Sequence, residues 1–121
     1  MAVTIGGTTG ITIPSTATNQ SGAVAWVNFN GVTTATIRTS YNVGSVTRTG
    51  TGAYTINFTN ALADANYCIT GTCGSGNVYG NYGIANRGNG SNTTTTCAVN
   101  TFVTNTGSVV DTDLICVAIF R

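Results

Sequence analysis

This sequence predicts an all-β fold: a single antiparallel β-sandwich, jelly-roll-like, over residues 23–121, preceded by an extended N-terminal arm over residues 1–22. Three observations carry that prediction. Thr is the commonest residue, followed by Gly and Asn, with Val, Ile and Tyr spread throughout. These types suit a pleated, half-buried surface and the positive-φ positions of tight turns. Apolar residues recur with a period of two over several short runs, and no stretch combines Ala with the Glu, Lys, Leu and Arg that sustain a helix.

The elements follow in chain order. Val3-Thr4-Ile5 and Ile11-Thr12-Ile13 are short alternating runs separated by glycines and closed by Pro14, the only proline, before the polar stretch STATNQSG. Val3, Ile5, Ile11 and Ile13 are apolar where a free tail is polar, so the segment reads as an arm that lies along a partner or adds a strand to it. Ala25, Val27 and Phe29 then alternate with Trp26, Asn28 and Asn30 up to a turn at Asn30-Gly31. Ile37, Thr39, Tyr41 and Val43 are expected on one strand face, with Arg38, Ser40 and Asn42 on the other. Past the turn signals Gly50 and Gly52, Tyr54, Ile56 and Phe58 alternate with Thr55 and Asn57.

Residues 60–66 (NALADAN) read as a loop in which Asp64 or Asn66 bonds nearby backbone amides, feeding a strand over 67–73. Residues 74–92 are dense in Gly and Asn, with room for one short strand around Tyr82 and Ile84. Strands over 94–103 and 114–120 complete the domain, the last almost continuously apolar and therefore central.

Charge narrows the chemistry. The ionisable set is Arg38, Arg48, Arg87 and Arg121 against Asp64, Asp111 and Asp113, with four Cys, five Tyr and no His, Lys or Glu. General acid–base catalysis draws on groups tunable toward neutral pH, so a non-enzymatic role is expected, with no catalytic residue. A net charge of +1 gives no electrostatic footprint for nucleic acid or an acidic membrane. No run approaches a membrane span, and the opening residues lack a secretory signal pattern. With 41% hydrophobic and 6% charged residues, some of the surface is expected to be covered by other subunits.

Cys68, Cys73, Cys97 and Cys116 have neither CxxC spacing nor His partners, so no metal or other cofactor is expected, and they read as small, mostly buried hydrophobes. Asp111-Thr112-Asp113 reads as a turn before the last strand rather than a cation site.

Part of the chain resembles a known class. Trp26-Val27-Asn28-Phe29, Ile37-Arg38 with Ser40-Tyr41-Asn42-Val43, Gly52 with Tyr54 to Phe58, and Asp64 to Tyr67 are similar to a module of tailed-bacteriophage virion structural proteins, as in tail-fibre C-terminal parts and small capsid proteins. The closing Ile115 to Arg121 is similar too, whereas residues 1–22 and 74–92 carry no likeness. The resemblance implies a virion protein assembled in the bacterial cytoplasm, and a homo-oligomer, commonly a trimer. One domain plus an arm fits a capsid-decorating (cement) protein that binds the major capsid protein. The alternative is a tail-fibre or receptor-binding tip that recognises host surface glycans.

Individual residues divide accordingly. Trp26 reads as packing in the core or at an interface, with stacking on a sugar the other use. Arg38 is expected to pair with an Asp across a subunit boundary, Asp64 being the candidate. The 74–92 loop offers Asn77, Tyr79, Tyr82, Asn86 and Arg87 as a recognition surface of aromatic and amide groups on a Gly-rich backbone.

Overall fold

A computed structural model describes residues 4–6, 10–12, 22–76, 80–88 and 90–121. Within them the regular structure is entirely β, in ten strands: β1 Thr4–Gly6, β2 Gly10–Thr12, β3 Ala25–Asn30, β4 Thr36–Tyr41, β5 Val43–Gly50, β6 Ala53–Phe58, β7 Cys68–Gly74, β8 Tyr82–Asn86, β9 Thr96–Val103 and β10 Leu114–Phe120. Two antiparallel four-stranded sheets make the body, in the orders β4-β3-β10-β7 and β5-β6-β9-β8. The last strand is central, as its apolar run requires: β10 takes β3 on one side and β7 on the other.

The core draws inward-facing residues from both sheets, which makes the body sandwich-like. Ala25, Val27, Phe29, Ile115, Val117 and Ile119 come from the first sheet, and Tyr54, Ile56, Phe58, Cys97 and Val99 from the second. Phe29 meets Tyr54 edge to face with ring centroids 5.3 Å apart, and Phe58 meets Tyr67 at 5.9 Å. Burial pushes the Tyr67 hydroxyl up to about 12. That group lies 2.9 Å from Thr96 O and 3.0 Å from Thr93 O, so its proton stays in the interior.

Two features depart from simple alternation. The β3–β4 ladder shifts register between Asn28 and Phe29: Phe29 opposes Ile37, Asn28 opposes Thr39, and Arg38 is the extra residue. This bulge reverses the parity of β4. Ile37 packs against the core while Thr39 and Tyr41 turn outward, so the expected common face for Ile37, Thr39 and Tyr41 is corrected. Val43 does not continue that strand either. The chain turns at Asn42, whose φ is +54°, and a separate strand, β5, begins in the other sheet.

Asn is one of the few residues that tolerate this conformation, and here its amide also ties the corner. Asn42 Nδ2 donates to Val24 O (3.3 Å) and Asn60 O (3.1 Å), and Asn42 Oδ1 accepts from Asn60 N (2.8 Å).

Thr33, between β3 and β4, carries the other positive non-glycine φ among the described residues, +64°. Thr34 N donates to Val32 O at 2.7 Å across it, a γ-turn of the rare, strained hand. A β-branched residue pays most for this conformation. Thr33→Gly is expected to raise the unfolding free energy by about 0.5–1 kcal/mol, strain relief outweighing the extra freedom of the unfolded chain. Urea denaturation measures it, and a lowered midpoint would mean that the Thr33 side chain holds the turn.

Of the expected arm, the backbone of β1 and β2 is described, and these strands pair with each other, Thr4 with Thr12, Ile5 with Ile11 and Gly6 with Gly10. Val3 and Ile13 lie outside the described residues.

Candidate interaction face

Because Ala25, Val27 and Phe29 point into the core, Trp26 and Asn28 point out, and the registers of the first sheet extend this rule across four strands. Tyr41, Trp26, Ala118 and Thr70 form one cross-strand row, running from β4 through β3 and β10 to β7. Thr39, Asn28, Cys116 and Thr72 form the next. Phe120 stands beside Cys68 at one end of β10, and Leu114 beside Gly74 at the other.

The outcome is an exposed apolar face. Trp26 is 37% exposed, Tyr41 57%, Leu114 45% and Phe120 37%. Among them lies a groove of about 420 Å³ lined by Trp26, Asn28, Thr39, Thr70, Thr72, Cys116 and Ala118 along with backbone around Val27, Gly71 and Val117. Trp26 is the one aromatic side chain lining it, and the other outward-facing side chains that line it are small. An exposed apolar patch with a groove in it is the candidate interaction surface of the described residues.

The charge nearest the face is already committed. Arg38 Nη2 donates to Asp113 O at 2.6 Å, and its Nη1 donates to Asn28 Oδ1 at 3.3 Å. Asp113 in turn accepts from Gly76 N at 3.2 Å. Arg38 is thus pinned across the bulge beside the groove, and Asp64, expected to pair with it across a subunit boundary, has a partner within the chain. Asp64 pairs instead with Arg121, Nε to Oδ1 at 3.0 Å, and that guanidinium, together with Asn66 N (2.8 Å), holds the Asp64 carboxyl below its ordinary value. The Asp64-to-Asn66 bond is the turn expected from the sequence.

The opposite outer face has a different chemistry. Asn57 Nδ2 bonds Ser45 Oγ (3.0 Å) and Thr47 Oγ1 (3.2 Å), and Arg87 Nη1 reaches Thr49 Oγ1 at 3.4 Å. Hydroxyl and amide groups satisfy one another there, leaving a polar sheet surface. The two sides of the molecule are unequal, and the apolar side is the one with unmet contacts.

A charged cluster that sequence reasoning missed closes one end of the body. Asp111 Oδ1 accepts from Gly52 N (2.8 Å), Tyr54 OH (2.9 Å) and Arg48 Nε (3.0 Å), while Oδ2 accepts from Arg48 Nη2 (2.7 Å). The Arg48 guanidinium holds the Asp111 carboxyl below its usual range, and Asp111 raises Arg48 in return. Burial, then the bond to Asp111, push Tyr54 up to about 12. The only sequence signal was the scarcity of charge; the separation of 63 positions between Arg48 and Asp111 hid the partnership. Every member is occupied with another, so the cluster is a clamp.

The remaining expectations fall out as follows. The outward parity of Trp26 excludes the core placement and is compatible with packing at an interface and with stacking on a sugar. In the 74–92 loop, Asn77 and Tyr79 lie outside the described residues. The short strand expected around Tyr82 and Ile84 is β8, with Tyr82 half-buried. Asn86 is spent locally, accepting from Gly88 N (2.9 Å) and donating to Asn92 Oδ1 (3.0 Å). Tyr82 and Asn86 share parity on β8, and Arg87 Nη1 reaches Thr49 Oγ1 at 3.4 Å.

The cysteines are free thiols, but only Cys97 is fully buried. Cys68 is exposed because β7 turns it outward beside Phe120, which corrects the expectation of mostly buried cysteines. Burial pushes Cys97 up to about 12 and Cys73 upward, so neither is a thiolate near neutral pH. Among the described residues, no group of three or more His, Cys, Asp or Glu is placed to hold a metal ion.

No family model, curated protein or solved structure matches this chain.

Proposed function

We propose that this chain is a non-enzymatic structural protein of a tailed-bacteriophage virion, one that decorates the capsid and steadies the major-capsid-protein lattice. The observation that carries the reading is the exposed apolar outer face of the β4-β3-β10-β7 sheet, on which Trp26, Tyr41, Leu114 and Phe120 stand. It is an assembly surface on a chain whose Asp111, Asp64 and Arg48 are consumed by structural pairs and whose buried thiols are held protonated. The virion context comes from the resemblance of residues 25–31 and 37–67 to phage structural modules. Immunogold labelling of intact particles tests it. Dense label over the head is expected; particles without label would overturn the virion assignment.

One observation favours a second reading, a receptor-binding tip. Trp26 stands beside the Asn28 amide and the Thr39, Thr70 and Thr72 hydroxyls in a groove within the size range of small-ligand sites. An aromatic face next to amide and hydroxyl groups suits a sugar ring. Label confined to the tail end would select it.

A further inference from the structure

We propose that the apolar sheet face is closed by the same face of a second copy of this chain, through a two-fold axis that runs along the strands between β3 and β10. The argument starts from the row Tyr41, Trp26, Ala118, Thr70. The row is lopsided: two large aromatic side chains stand on β4 and β3, and two small ones on β10 and β7. A two-fold rotation about an axis lying in the interface and parallel to the strands keeps every residue at its own level and exchanges β3 with β10 and β4 with β7. Trp26 of each copy then sits over Ala118 of the other, and Tyr41 over Thr70. Large meets small at all four places.

The neighbouring row obeys the same exchange. Asn28 comes over Cys116 and Thr39 over Thr72, setting an amide on a thiol and one hydroxyl on another. Arg38, exposed on this face beyond the row, keeps its bonds to Asn28 Oδ1 and Asp113 O. An isologous contact needs a self-complementary patch, and this face meets that need in both shape and polarity. Other rotations within the face do not: an axis along the row, or one normal to the sheets, is incompatible with this match of aromatics to small residues.

The area is sufficient. Four strands about 4.8 Å apart and about seven residues of about 3.3 Å give a face of roughly 23 by 19 Å. Closing two such faces removes roughly 900 Å² counted flat, and more with side-chain relief, which reaches the roughly 1,000 Å² a specific interface requires. The arrangement stands apart from the virion reading, and its two-fold symmetry departs from the trimer that the phage resemblance implies.

Size-exclusion chromatography with light scattering on the full chain tests it, together with a swap of the large and small positions. The wild-type protein is expected at twice its 12.3 kDa chain mass. Ala118→Trp sets Trp against Trp across the axis and is expected to raise the dimer dissociation constant at least about 30-fold. The double variant Trp26→Ala with Ala118→Trp moves the large residue from β3 to β10, keeps the match under this axis alone, and is expected to restore the dimer. Alkylation of Cys116, half-buried in the groove, is a second readout: slow in the wild type and the double variant, fast in Ala118→Trp. Far-UV circular dichroism checks that each variant is folded. A monomeric or trimeric wild type, a dimer that survives Ala118→Trp, or a folded double variant that stays monomeric would overturn the proposal. None of these outcomes bears on where the protein sits on a particle.

Discussion

Asp111→Asn is expected to lower the unfolding free energy at neutral pH by about 2–3 kcal/mol and to flatten the acid limb of the stability profile. The carboxylate accepts from Gly52 N, Tyr54 OH and two nitrogens of Arg48, and an amide of the same shape cannot accept them all. The pH dependence follows from the sign of the shift. Asp111 is held below its ordinary 3.8 in the folded chain, so the unfolded chain binds more protons as the medium turns acid. Its contribution is complete above about pH 5 and drains away as pH falls through the folded value.

At the other end, Tyr54 and Tyr67, ordinarily at 10.0, and Cys97, ordinarily at 9.0, are each raised to about 12. Keeping them neutral stabilises the fold below their unfolded values, and that stabilisation is lost as pH climbs toward 12. With no His, Lys or Glu in the chain, the profile between about pH 5 and 8 should be flat, the thiols Cys97 and Cys73 starting the alkaline decline above it. Urea midpoints from pH 2 to 11 measure all of this. An Asp111→Asn curve that parallels the wild type through the acid limb would show that Asp111 is not the group responsible.

Gly52→Ala is expected to be costlier still, by about 3–5 kcal/mol, enough to leave a domain of ordinary stability barely folded. Gly52 joins β5 to β6 at φ +63°, a conformation that already penalises any side chain. A Cβ there would stand 2.6 Å from Thr101 O, 2.7 Å from Val110 N and 2.8 Å from Val110 O. These are backbone atoms and cannot swing aside. They also belong to the ladder that holds this end together, since Thr101 N donates to Gly52 O at 2.8 Å and Val110 N to Thr101 O at 3.1 Å. Gly90 supplies the comparison: its φ is +89°, but nothing lies within 4 Å of its missing Cβ. Gly90→Ala should cost only about 1 kcal/mol. Equal losses for the two variants in denaturant titrations would refute the close packing described at Gly52.

What could be read from the sequence was whatever is local. The alternation of Val27 and Phe29 with Trp26 and Asn28 fixes which side of β3 faces the core, and the apolar run over 114–120 identifies a central strand. Both are properties of a few adjacent residues. The bulge at Arg38 escaped because an extra residue leaves no mark in a Thr/Ser-rich strand, and it is what moves Tyr41 onto the outer face. β5 was not foreseen as a strand, since its Gly, Ser and Thr residues alternate in bulk but not in polarity.

The interaction face was half legible. The alternation around Trp26 carried its outward parity, yet the sequence reading left it between core and interface, and the small residues in its row, Ala118 and Thr70, become its neighbours only through registers spanning most of the chain. Asp111 illustrates the same limit: a short acidic motif looks like a turn until Arg48 and Tyr54 arrive from elsewhere.

The central position of β10 has a kinetic consequence. β3 and β7 touch each other nowhere in the ladder; β10 alone joins the β3–β4 pair to β7, and Trp26 meets Ala118 from about ninety residues away. The first sheet must therefore close a very long loop before it gains its first central pairing, whereas the β5–β6 hairpin closes a short one. Refolding should show the polar sheet gathering early and the aromatic sheet late, on the millisecond-to-second scale of non-local β topologies. Until β10 docks, β3 and β7 are open edges, and the window for misassembly between chains is set by the arrival of that one strand.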